Sequence, residues 1–188
     1  MVNSISFIND QNNLDIFKKN FFKDNRGYFS RYYCPIEVNK KKFNTIKQIN
    51  ISYNVCPGII RGMHYQKGKY NETKIVSCIK GKILDVIIDL RKNSQNYLNS
   101  YSFILSEKNR KSLIVPKGFA HGFQVLEKNT YVLYLHSEFY KKKFDAGLNA
   151  FDPVFSIAWK KNIKKKISKK DKLYRFLSEK KIKIGFGF

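Results

Sequence analysis

The sequence predicts a mainly β domain, an antiparallel barrel or sandwich, followed by a short basic extension that is partly helical. Eight runs rich in β-branched and aromatic residues follow one another between residues 46 and 137, spaced roughly 10–15 residues apart. Gly, Asn, Lys and Pro separate the runs, and no long stretch of 3.6-residue periodicity lies between them. Short strands at such regular spacing are typical of antiparallel β folds.

The elements follow from these runs in chain order. Before them, the segment FFKDNRGYFSRYY places aromatic residues on both sides of a turn at Arg26–Gly27. Gly81 lies between the third and fourth runs and is free to take a positive φ, which predicts a hairpin turn. The predicted strands are 46–55, 58–66, 74–80, 82–90, 100–106, 111–116, 118–126 and 130–137.

The composition changes after Trp159, where the chain becomes dense in lysine. Ser168 is predicted to be an N-cap, and Asp171 falls in the first turn of the helix that would follow, where the helix dipole favours an anion. The ordinary interpretation of such a charge run is a solvated face. Because no internal repeat or low-complexity linker divides the chain, we expect one domain over residues 1–160 and an extension over residues 161–188.

Length and composition exclude several classes of protein. The chain has 188 residues and is 43% hydrophobic, which supplies a core and excludes global disorder. It has no run of about 18 apolar residues, so we expect no membrane span. We also expect no secretory signal, because the N-terminus lacks a basic segment followed by an apolar one. Three cysteines without a close pair predict reduced thiols in a cytoplasmic protein.

The charge balance is ambiguous. Lys and Arg number 37 against 14 Asp and Glu, which gives a net charge of +23. Such a field favours an anionic partner: nucleic acid, membrane headgroups or a phosphorylated small molecule. The lysines also accompany many Asn, Ile, Tyr and Phe residues, a mixture that A+T-rich coding DNA produces without any partner. The charge alone therefore does not identify the function.

Two stretches contain specific motifs. Residues 58–66 read GIIRGMHYQ and residues 116–121 read PKGFAH. Their spacings, G-x5-H-x-Q and P-x-G-x-x-H, match the two halves of the cupin signature, in which His64 and His121 would both point into the barrel. Together they refine the predicted fold to a cupin, or jelly-roll, barrel. The alternative is a pair of core histidines satisfied by hydrogen bonds.

The first motif also predicts a site without a metal. Metal-binding cupins continue it as H-x-H with a Glu a few residues later, whereas this chain has Gln66, and Glu72 lies eight residues after His64. Two histidines and a neutral amide fall short of the three good ligands of a catalytic transition metal. We therefore expect no metal and no cofactor. A metal-dependent cupin oxygenase is the alternative that Gln66 disfavours.

Three longer motifs, RGMHYQ at 61–66, DLRKNS at 89–94 and PKGFAHGF at 116–123, extend the match. With them, the sequence resembles the dTDP-4-dehydrorhamnose 3,5-epimerases and related nucleotide-sugar epimerases over nearly its whole length. The resemblance implies inversion of C3, C5 or both in a nucleotide-linked 4-keto-6-deoxy sugar, in a pathway that builds cell-surface polysaccharide. The 4-keto group acidifies the hydrogens at C3 and C5, because the resulting carbanion delocalises onto oxygen as an enolate. Inversion then needs a base, a donor near O4 and an acid on the opposite face.

The resemblance implies four catalytic residues. His64 matches the base, and Asp171 matches the carboxylate that orients its imidazole and stabilises the charged form. Tyr134, in YVLY, matches the acid on the other face, and Lys74 matches the cation that stabilises the enolate oxygen. From composition alone, Asp171 would merely begin a helix, Tyr134 would be a core residue and Lys74 a surface lysine.

The resemblance also implies how the substrate, a nucleotide-diphosphate sugar, is bound. Arginine suits a diphosphate because its guanidinium forms two parallel hydrogen bonds. Gln48 and Asn50 share strand parity and face one side, while Phe22 and the Phe139–Tyr140 pair match aromatic positions that stack on the base. The matching binding residues are Phe22, Arg26, Gln48, Asn50, Arg61, His121, Tyr140 and Lys170. The family forms a homodimer by strand exchange, so Phe22 and Arg26 are expected to act in the neighbouring subunit.

One departure and several alternatives stay open. Where the family usually reads RG-x-F-x-E, this chain ends the motif with Arg31, which alters a contact to the base or the sugar. Related enzymes act on GDP- or CDP-linked sugars, including heptoses, and a nucleotide-sugar 3,4-ketoisomerase uses the same enediol chemistry. A basic nucleic-acid-binding β-barrel would explain the charge but not the cupin spacing of the histidines. We therefore expect neither nucleic acid nor membrane as a partner.

Overall fold

The computed structural model of the protein describes residues 5–8, 14–38, 43 and 45–177. All eight strands predicted between residues 46 and 137 are present, as β5 to β12, and Gly81 joins β7 to β8 with a φ of 76°. The strands are β1 (Ile5–Ile8), β2 (Ile16–Lys19), β3 (Phe21–Asp24), β4 (Gly27–Ser30), β5 (Gln48–Asn54), β6 (Ile59–Gln66), β7 (Lys74–Lys80), β8 (Lys82–Asp89), β9 (Ser100–Ser106), β10 (Lys111–Val115), β11 (Phe119–Val125), β12 (Thr130–His136), β13 (Asp145–Gly147) and β14 (Lys166–Ile167), and the short helix α1 spans Lys169–Lys172.

Two antiparallel sheets face each other. The first has the strand order β1-β2-β10-β7-β12-β5, and the second has the order β13-β6-β11-β8-β9. β14 pairs parallel to β6 beside the second sheet, and β3 and β4 form a separate hairpin. The prediction of a mainly β jelly roll is confirmed, although the strands form two facing sheets rather than one closed barrel.

Apolar residues cover both sides of each sheet. Because side chains alternate along a strand, Val76 points into the core between the sheets while Ile75 points to the opposite side. There the outer face of the first sheet is covered by Val38 and Phe43. The outer face of the second sheet is covered by the segment that carries Trp159. This double covering explains why the strands read as nearly continuous apolar runs.

The lysine-rich segment after Trp159 follows the second sheet. Lys166 and Ile167 pair with Ile59 and Ile60 at the start of β6. The Ser168 side chain then accepts a hydrogen bond from the backbone N–H of Asp171 at 3.0 Å, which makes Ser168 the N-cap of α1 as predicted. The end of the predicted extension, residues 178–188, lies outside the described residues.

Candidate active site

The two histidines of the cupin motifs lie side by side. β6 and β11 are antiparallel neighbours, and His64 and His121 are partners in their register. Residues directly opposite each other on two strands point to the same face of a sheet. Both imidazoles therefore line the same cavity, as the motif spacing predicted.

A β-bulge beside the histidines brings Arg61 to the same cavity. Residues three apart on a regular strand point to opposite faces. The register between β6 and β11 shifts between the His121–His64 and Phe123–Arg61 pairs, so β6 carries one extra residue and Arg61 also lines the cavity. Gly122 permits the close approach, because a Cβ atom there would lie 2.6 Å from the sulfur of Met63.

His64 is bound to Asp171, 107 residues later in the chain. The distance from His64 Nε2 to Asp171 Oδ1 is 2.7 Å. Burial by itself raises the pKa of Asp171, but the hydrogen bond and charge of His64, together with hydrogen bonds from the Gly62 backbone N–H and the Ser168 side chain, leave that pKa below its ordinary value. Asp171 is thus an ionised acceptor, so His64 carries its proton on Nε2 and Nδ1 remains as the basic nitrogen.

His121 is bound to a second carboxylate, which the sequence analysis did not identify. Its Nε2 atom lies 2.9 Å and 3.0 Å from the two carboxylate oxygens of Asp85. Asp85 is fully buried, and burial raises its pKa although His121 and Lys74 oppose the shift. Asp85 lies on β8, the strand next to β11, opposite the cavity-lining residue Phe123 in the register. This pair fixes the orientation of the His121 ring, which lines the cavity.

Tyr134 lies on β12, in the sheet opposite to His64. Its ring makes an edge contact with His121, with ring centroids 6.2 Å apart, and its hydroxyl is hydrogen-bonded to Ser52. Burial raises the pKa of Tyr134 well above its ordinary value. The phenol therefore keeps its proton at neutral pH and has the chemistry of a proton donor.

Lys74, the first residue of β7, lines the same cavity. Its Nζ atom lies 3.2 Å from Glu72 Oε1, and Glu72 Oε2 lies 2.8 Å from His136 Nδ1. Burial by itself raises the pKa of Glu72, but the hydrogen bond from His136 and the charge of Lys74 hold it below its ordinary value. Glu72 therefore binds Lys74 through one carboxylate oxygen and His136 through the other.

The cavity has a volume of about 620 Å³ and is lined by most of the predicted site residues. All four residues to which the resemblance gave catalytic roles line it, on β6, β7, β12 and α1. Of the predicted binding residues, those that line the cavity are Asn50, Arg61, His121 and Lys170. Lining residues that the sequence analysis did not name as site residues include Ser52, His136, Lys166 and Ser168.

Gln48 and Tyr140 do not line the cavity but are connected to two residues that do. The Gln48 amide donates to Asn50 Oδ1 at 3.1 Å and accepts from the backbone N–H of Tyr140 at 3.0 Å. The Tyr140 hydroxyl lies 3.4 Å from Asp145 Oδ2, which also pairs with the Lys170 ammonium. These residues reach the cavity through Asn50 and Lys170.

Phe22 and Arg26 lie away from the cavity of their own chain. They belong to the β3–β4 hairpin, where Arg26 pairs with Asp24 and keeps 85% of its side chain exposed. Phe21 stacks on Tyr28, with ring centroids 4.1 Å apart, so the hairpin is held by its own side chains. Arg31, the residue that departs from the family motif, pairs with Glu37.

His136 and Glu72 are the main functional candidates that sequence reasoning missed. His136 has the strand parity of Tyr134 and lies opposite Lys74 in the register of β7 and β12, and this parity was the available signal. Among the described residues, no three His, Cys, Asp or Glu side chains come together as a group that would hold a metal ion. The described part of the chain also contains no helix long and apolar enough to span a membrane.

Comparisons with known proteins agree with this geometry. The family model described as dTDP-4-dehydrorhamnose 3,5-epimerase matches residues 11–179. A dTDP-4-dehydrorhamnose 3,5-epimerase from Sinorhizobium fredii is 36% identical over 151 residues, which cover 80% of this chain and 77% of the relative. Among solved structures, the Bacillus anthracis dTDP-4-dehydrorhamnose 3,5-epimerase with TDP and PPi bound is 33% identical, with a TM-score of 0.86, and the match covers 92% of this chain and 99% of that chain.

A second solved structure is the Legionella pneumophila dTDP-6-deoxy-D-glucose-3,5-epimerase in complex with dTDP-4-keto-L-rhamnose. It is 29% identical, with a TM-score of 0.86, and the match covers 93% of each chain. These matches confirm the resemblance predicted from the motifs, and with it the isomerase class. The nucleic-acid-binding alternative receives no support from them. The chain therefore belongs to the dTDP-4-dehydrorhamnose 3,5-epimerase family.

Proposed function

We propose that the protein inverts C3 and C5 of a dTDP-linked 4-keto-6-deoxy sugar through an enolate, without a metal or cofactor. The observation that carries the proposal is the arrangement of the His64–Asp171 pair and Tyr134 on facing sheets of one cavity. Inversion requires that a proton leaves one face of a carbon and returns to the other, and groups on opposite walls meet that requirement.

His64 is the base in this mechanism. Its neutral Nδ1 removes the proton from C3 or C5 while Asp171 accepts the hydrogen bond from Nε2 and stabilises the imidazolium that forms. Asp171 is 3% exposed, so its charge acts on the ring with little screening by water. A positioned base of this kind contributes about 10²- to 10⁴-fold to the rate.

Lys74 stabilises the enolate oxygen. Its side chain is 12% exposed and its ammonium group is held by one carboxylate, Glu72, so the ammonium keeps a fixed direction at the cavity wall. Charge that develops on O4 as the proton leaves is therefore met by a preorganised cation, which contributes about 10²- to 10³-fold for one such donor. Tyr134 then delivers the proton to the opposite face.

The diphosphate binds at the basic end of the cavity. Arg61 is oriented by Asn54 Oδ1 at 2.8 Å, and Lys166 and Lys170 line the same cavity from the C-terminal segment. These cations match the two negative charges of a nucleoside diphosphate. TDP and dTDP-4-keto-L-rhamnose, bound in the two solved relatives, motivate dTDP as the nucleotide for this chain.

We also propose that the enzyme works as a homodimer. β5 is an edge strand of the first sheet and exposes an apolar row in which Ile49, Ile51 and Tyr53 are 58%, 59% and 46% exposed. A second copy of the chain would cover this row. The β3–β4 hairpin exposes Phe22 in the same way, and an exchange between subunits would bring Phe22 and Arg26 to the neighbouring cavity.

Two further parts of the proposal concern organisation and location. We take residues 161–188 as an extension of the 1–160 domain whose role is to supply Asp171, in keeping with the pairing of β14 on β6. A cytoplasmic location is in keeping with the free thiols of Cys34, Cys56 and Cys78.

The test is to incubate the protein with dTDP-4-keto-6-deoxyglucose and to determine the product by NMR. The proposal predicts a 4-keto sugar with inverted C3 and C5. A 3-keto product would identify a 3,4-ketoisomerase instead, and no product from the dTDP sugar, with turnover of a GDP- or CDP-linked sugar, would refute the proposed nucleotide. Because mass is unchanged in every case, carbon and proton shifts must separate these products.

A further inference from the structure

All three histidines of the chain line the one cavity, and each is bound to a buried carboxylate. His64 and His121 belong to the motifs and have roles in the proposed function. His136 belongs to no motif, yet its side chain is only 12% exposed and lies 2.8 Å from Glu72 Oε2. The proposed function assigns no role to this third histidine–carboxylate pair.

His136 lies in the middle of a continuous chain of hydrogen bonds. On one side, the Tyr140 backbone N–H donates to Gln48 Oε1 at 3.0 Å, and Gln48 Nε2 donates to Asn50 Oδ1 at 3.1 Å. Asn50 Nδ2 then lies 3.2 Å from His136 Nε2. The nucleotide-sugar-binding candidates Gln48, Asn50 and Tyr140 are thus linked to this ring.

On the other side, the chain ends at the lysine that faces the enolate oxygen. His136 Nδ1 lies 2.8 Å from Glu72 Oε2, and Glu72 Oε1 lies 3.2 Å from Lys74 Nζ. His136 and Lys74 are register partners on neighbouring strands, so their side chains share a face. One carboxylate therefore holds both groups, with one oxygen for each.

The direction of every hydrogen bond follows from the ends of the chain. Gln48 Oε1 accepts from a backbone N–H, so its amide nitrogen donates to Asn50 Oδ1, and the Asn50 amide nitrogen must donate to His136 Nε2. An accepting Nε2 leaves the proton of the neutral imidazole on Nδ1, where it donates to Glu72. His64 has the opposite tautomer, because its Nε2 is the atom bound to a carboxylate.

We propose that His136 is a positioning residue that links the Gln48–Asn50 pair to Glu72 and thereby fixes the position of the Lys74 ammonium. This inference rests on the proposed role of Lys74. Without the Nδ1–H donor, Glu72 has Lys74 as its remaining side-chain donor, so the ammonium group turns toward the carboxylate and away from O4. Without the Nε2 acceptor, Asn50 loses the partner that orients its amide at the cavity wall.

The two nitrogens predict separable kinetic effects. The amide of His136→Asn retains a donor near the Nδ1 position for Glu72, whereas His136→Gln retains an acceptor near the Nε2 position for Asn50. We expect His136→Gln and His136→Phe to lower kcat by about tenfold or more, since a hydrogen bond to a charged group is lost. His136→Asn keeps kcat within about threefold of wild type and raises KM instead.

A spectroscopic measurement gives a readout that does not depend on activity. Long-range ¹H–¹⁵N NMR of the three histidine side chains assigns the protonated nitrogen of each ring. We expect Nδ1–H for His136 and Nε2–H for His64, and the His136 signal disappears in His136→Asn. Nε2–H on His136 would overturn the inference, because Nε2 could then not accept from Asn50 and Nδ1 could not donate to Glu72.

Controls separate the possible failures. Tyr131→Phe changes the same strand at a position outside the cavity and should leave kcat and KM unchanged. If wild type does not epimerise the sugar, the proposed function fails. If wild type turns over and Lys74→Ala lowers kcat while His136→Phe does not, only the positioning inference fails. Thermal unfolding of each variant identifies a general loss of stability, and equal losses of kcat in all three His136 variants, in step with stability, would also overturn the inference.

Discussion

At the scale of single residues, Asp171 shows how environment sets chemistry. Its neighbours in sequence are lysines, but the contact that matters is the 2.7 Å hydrogen bond to His64. The carboxylate is 3% exposed and its pKa lies below the ordinary value despite burial, so it is charged at neutral pH, as the proposed stabilisation of a protonated His64 requires. A residue that sequence alone would assign to the start of a helix thus lies in direct contact with the proposed base.

Asp171→Asn tests this role. The amide keeps the size of the side chain and one acceptor oxygen but removes the charge that stabilises the imidazolium, so we expect kcat to fall by about 10²-fold or more. Steady-state kinetics measure the change. Lys172→Gln, an exposed change on the same helix, is the control and should leave kcat unaltered. An Asp171→Asn enzyme with wild-type kcat would contradict the assignment.

Lys19 is a second residue whose environment overrides its usual chemistry. Its side chain is 1% exposed, its Nζ donates to Ser112 Oγ at 2.6 Å, and it lies 4.9 Å from the ring centre of Tyr32. Burial lowers the pKa of Lys19 from 10.5 to about 7. The unfolded chain therefore binds one more proton than the folded chain between pH 7 and 10.5.

This linkage predicts a pH-dependent difference between wild type and Lys19→Met. Stability rises with pH where the unfolded state binds more protons, so the contribution of Lys19 is present above pH 10.5 and is lost as the pH falls to about 7. Urea unfolding from pH 6 to 10 measures the free energy of unfolding of both proteins. As the pH falls, the value for Lys19→Met should rise relative to that of wild type by on the order of 1 kcal/mol per pH unit, with a plateau below pH 7. Parallel stability curves would contradict the prediction.

At the scale of elements, the bulge between β6 and β11 determines which side chains of β6 line the cavity. It places Arg61 and His64 on one face although three positions separate them. The bulge needs glycine at residue 122, where a Cβ atom would lie 2.7 Å from the carbonyl oxygen of Arg61. The glycines of the RGMH and AHGF motifs are therefore explained by close backbone approach next to the histidines.

Gly122→Ala should separate the two strands at this point. We expect a loss of about 1–3 kcal/mol in the free energy of unfolding, because the methyl group overpacks a buried site, together with lower activity as His64 and His121 shift. Chemical denaturation and kinetics measure both effects. Ser102→Ala, on an exposed position of β9, serves as the control. Unchanged stability in Gly122→Ala would show that the strands are not tightly apposed.

Sequence patterns predicted the central strands but not the terminal ones. β5 to β12 are rich in β-branched and aromatic residues, whereas β14 consists of Lys166 and Ile167 in a lysine-rich segment and exists only because it pairs with β6. The eight-strand prediction also omitted β2, a four-residue strand that is held in place by its antiparallel pairing with β10. Short strands of this kind depend on distant partners that local composition does not reveal.

The same limit applies to the site. Motif spacing correctly brought His64 and His121 to one cavity, because both lie on strands with strong local patterns. The contact of His64 with Asp171 required the family resemblance, since nothing local relates residues so far apart. Glu72 and His136 match no motif, and their pairing follows from the register of β7 and β12.

At the scale of the whole molecule, the position of the β3–β4 hairpin motivates the proposed site shared between subunits. Phe22 and Arg26 lie away from the cavity of their own chain, while β5 presents an uncovered apolar row. An exchange of hairpins in a symmetric dimer would complete two cavities at once. The diphosphate would then meet Arg61 from one subunit and Arg26 from the other.

Mixing two inactive variants tests this exchange. Arg26→Ala and His64→Ala each damage every site of their own homodimer, but in a mixed dimer one site would combine an intact His64 with an intact Arg26. After unfolding and refolding together in equal amounts, we expect about a quarter of wild-type activity, since half of the dimers are mixed and half of their sites are intact. Activity no greater than the sum of the two variants would contradict exchange.

Proton transfer at carbon is the central claim, and deuterium uptake measures it directly. In D2O, the wild-type enzyme should place deuterium at C3 and C5 of the dTDP-4-keto sugar, detected by the loss of the corresponding ¹H NMR signals. His64→Ala should slow this exchange by about 10²-fold or more. A His64→Ala enzyme that exchanges at the wild-type rate, or an epimerised product from the wild-type enzyme without deuterium, would contradict the account.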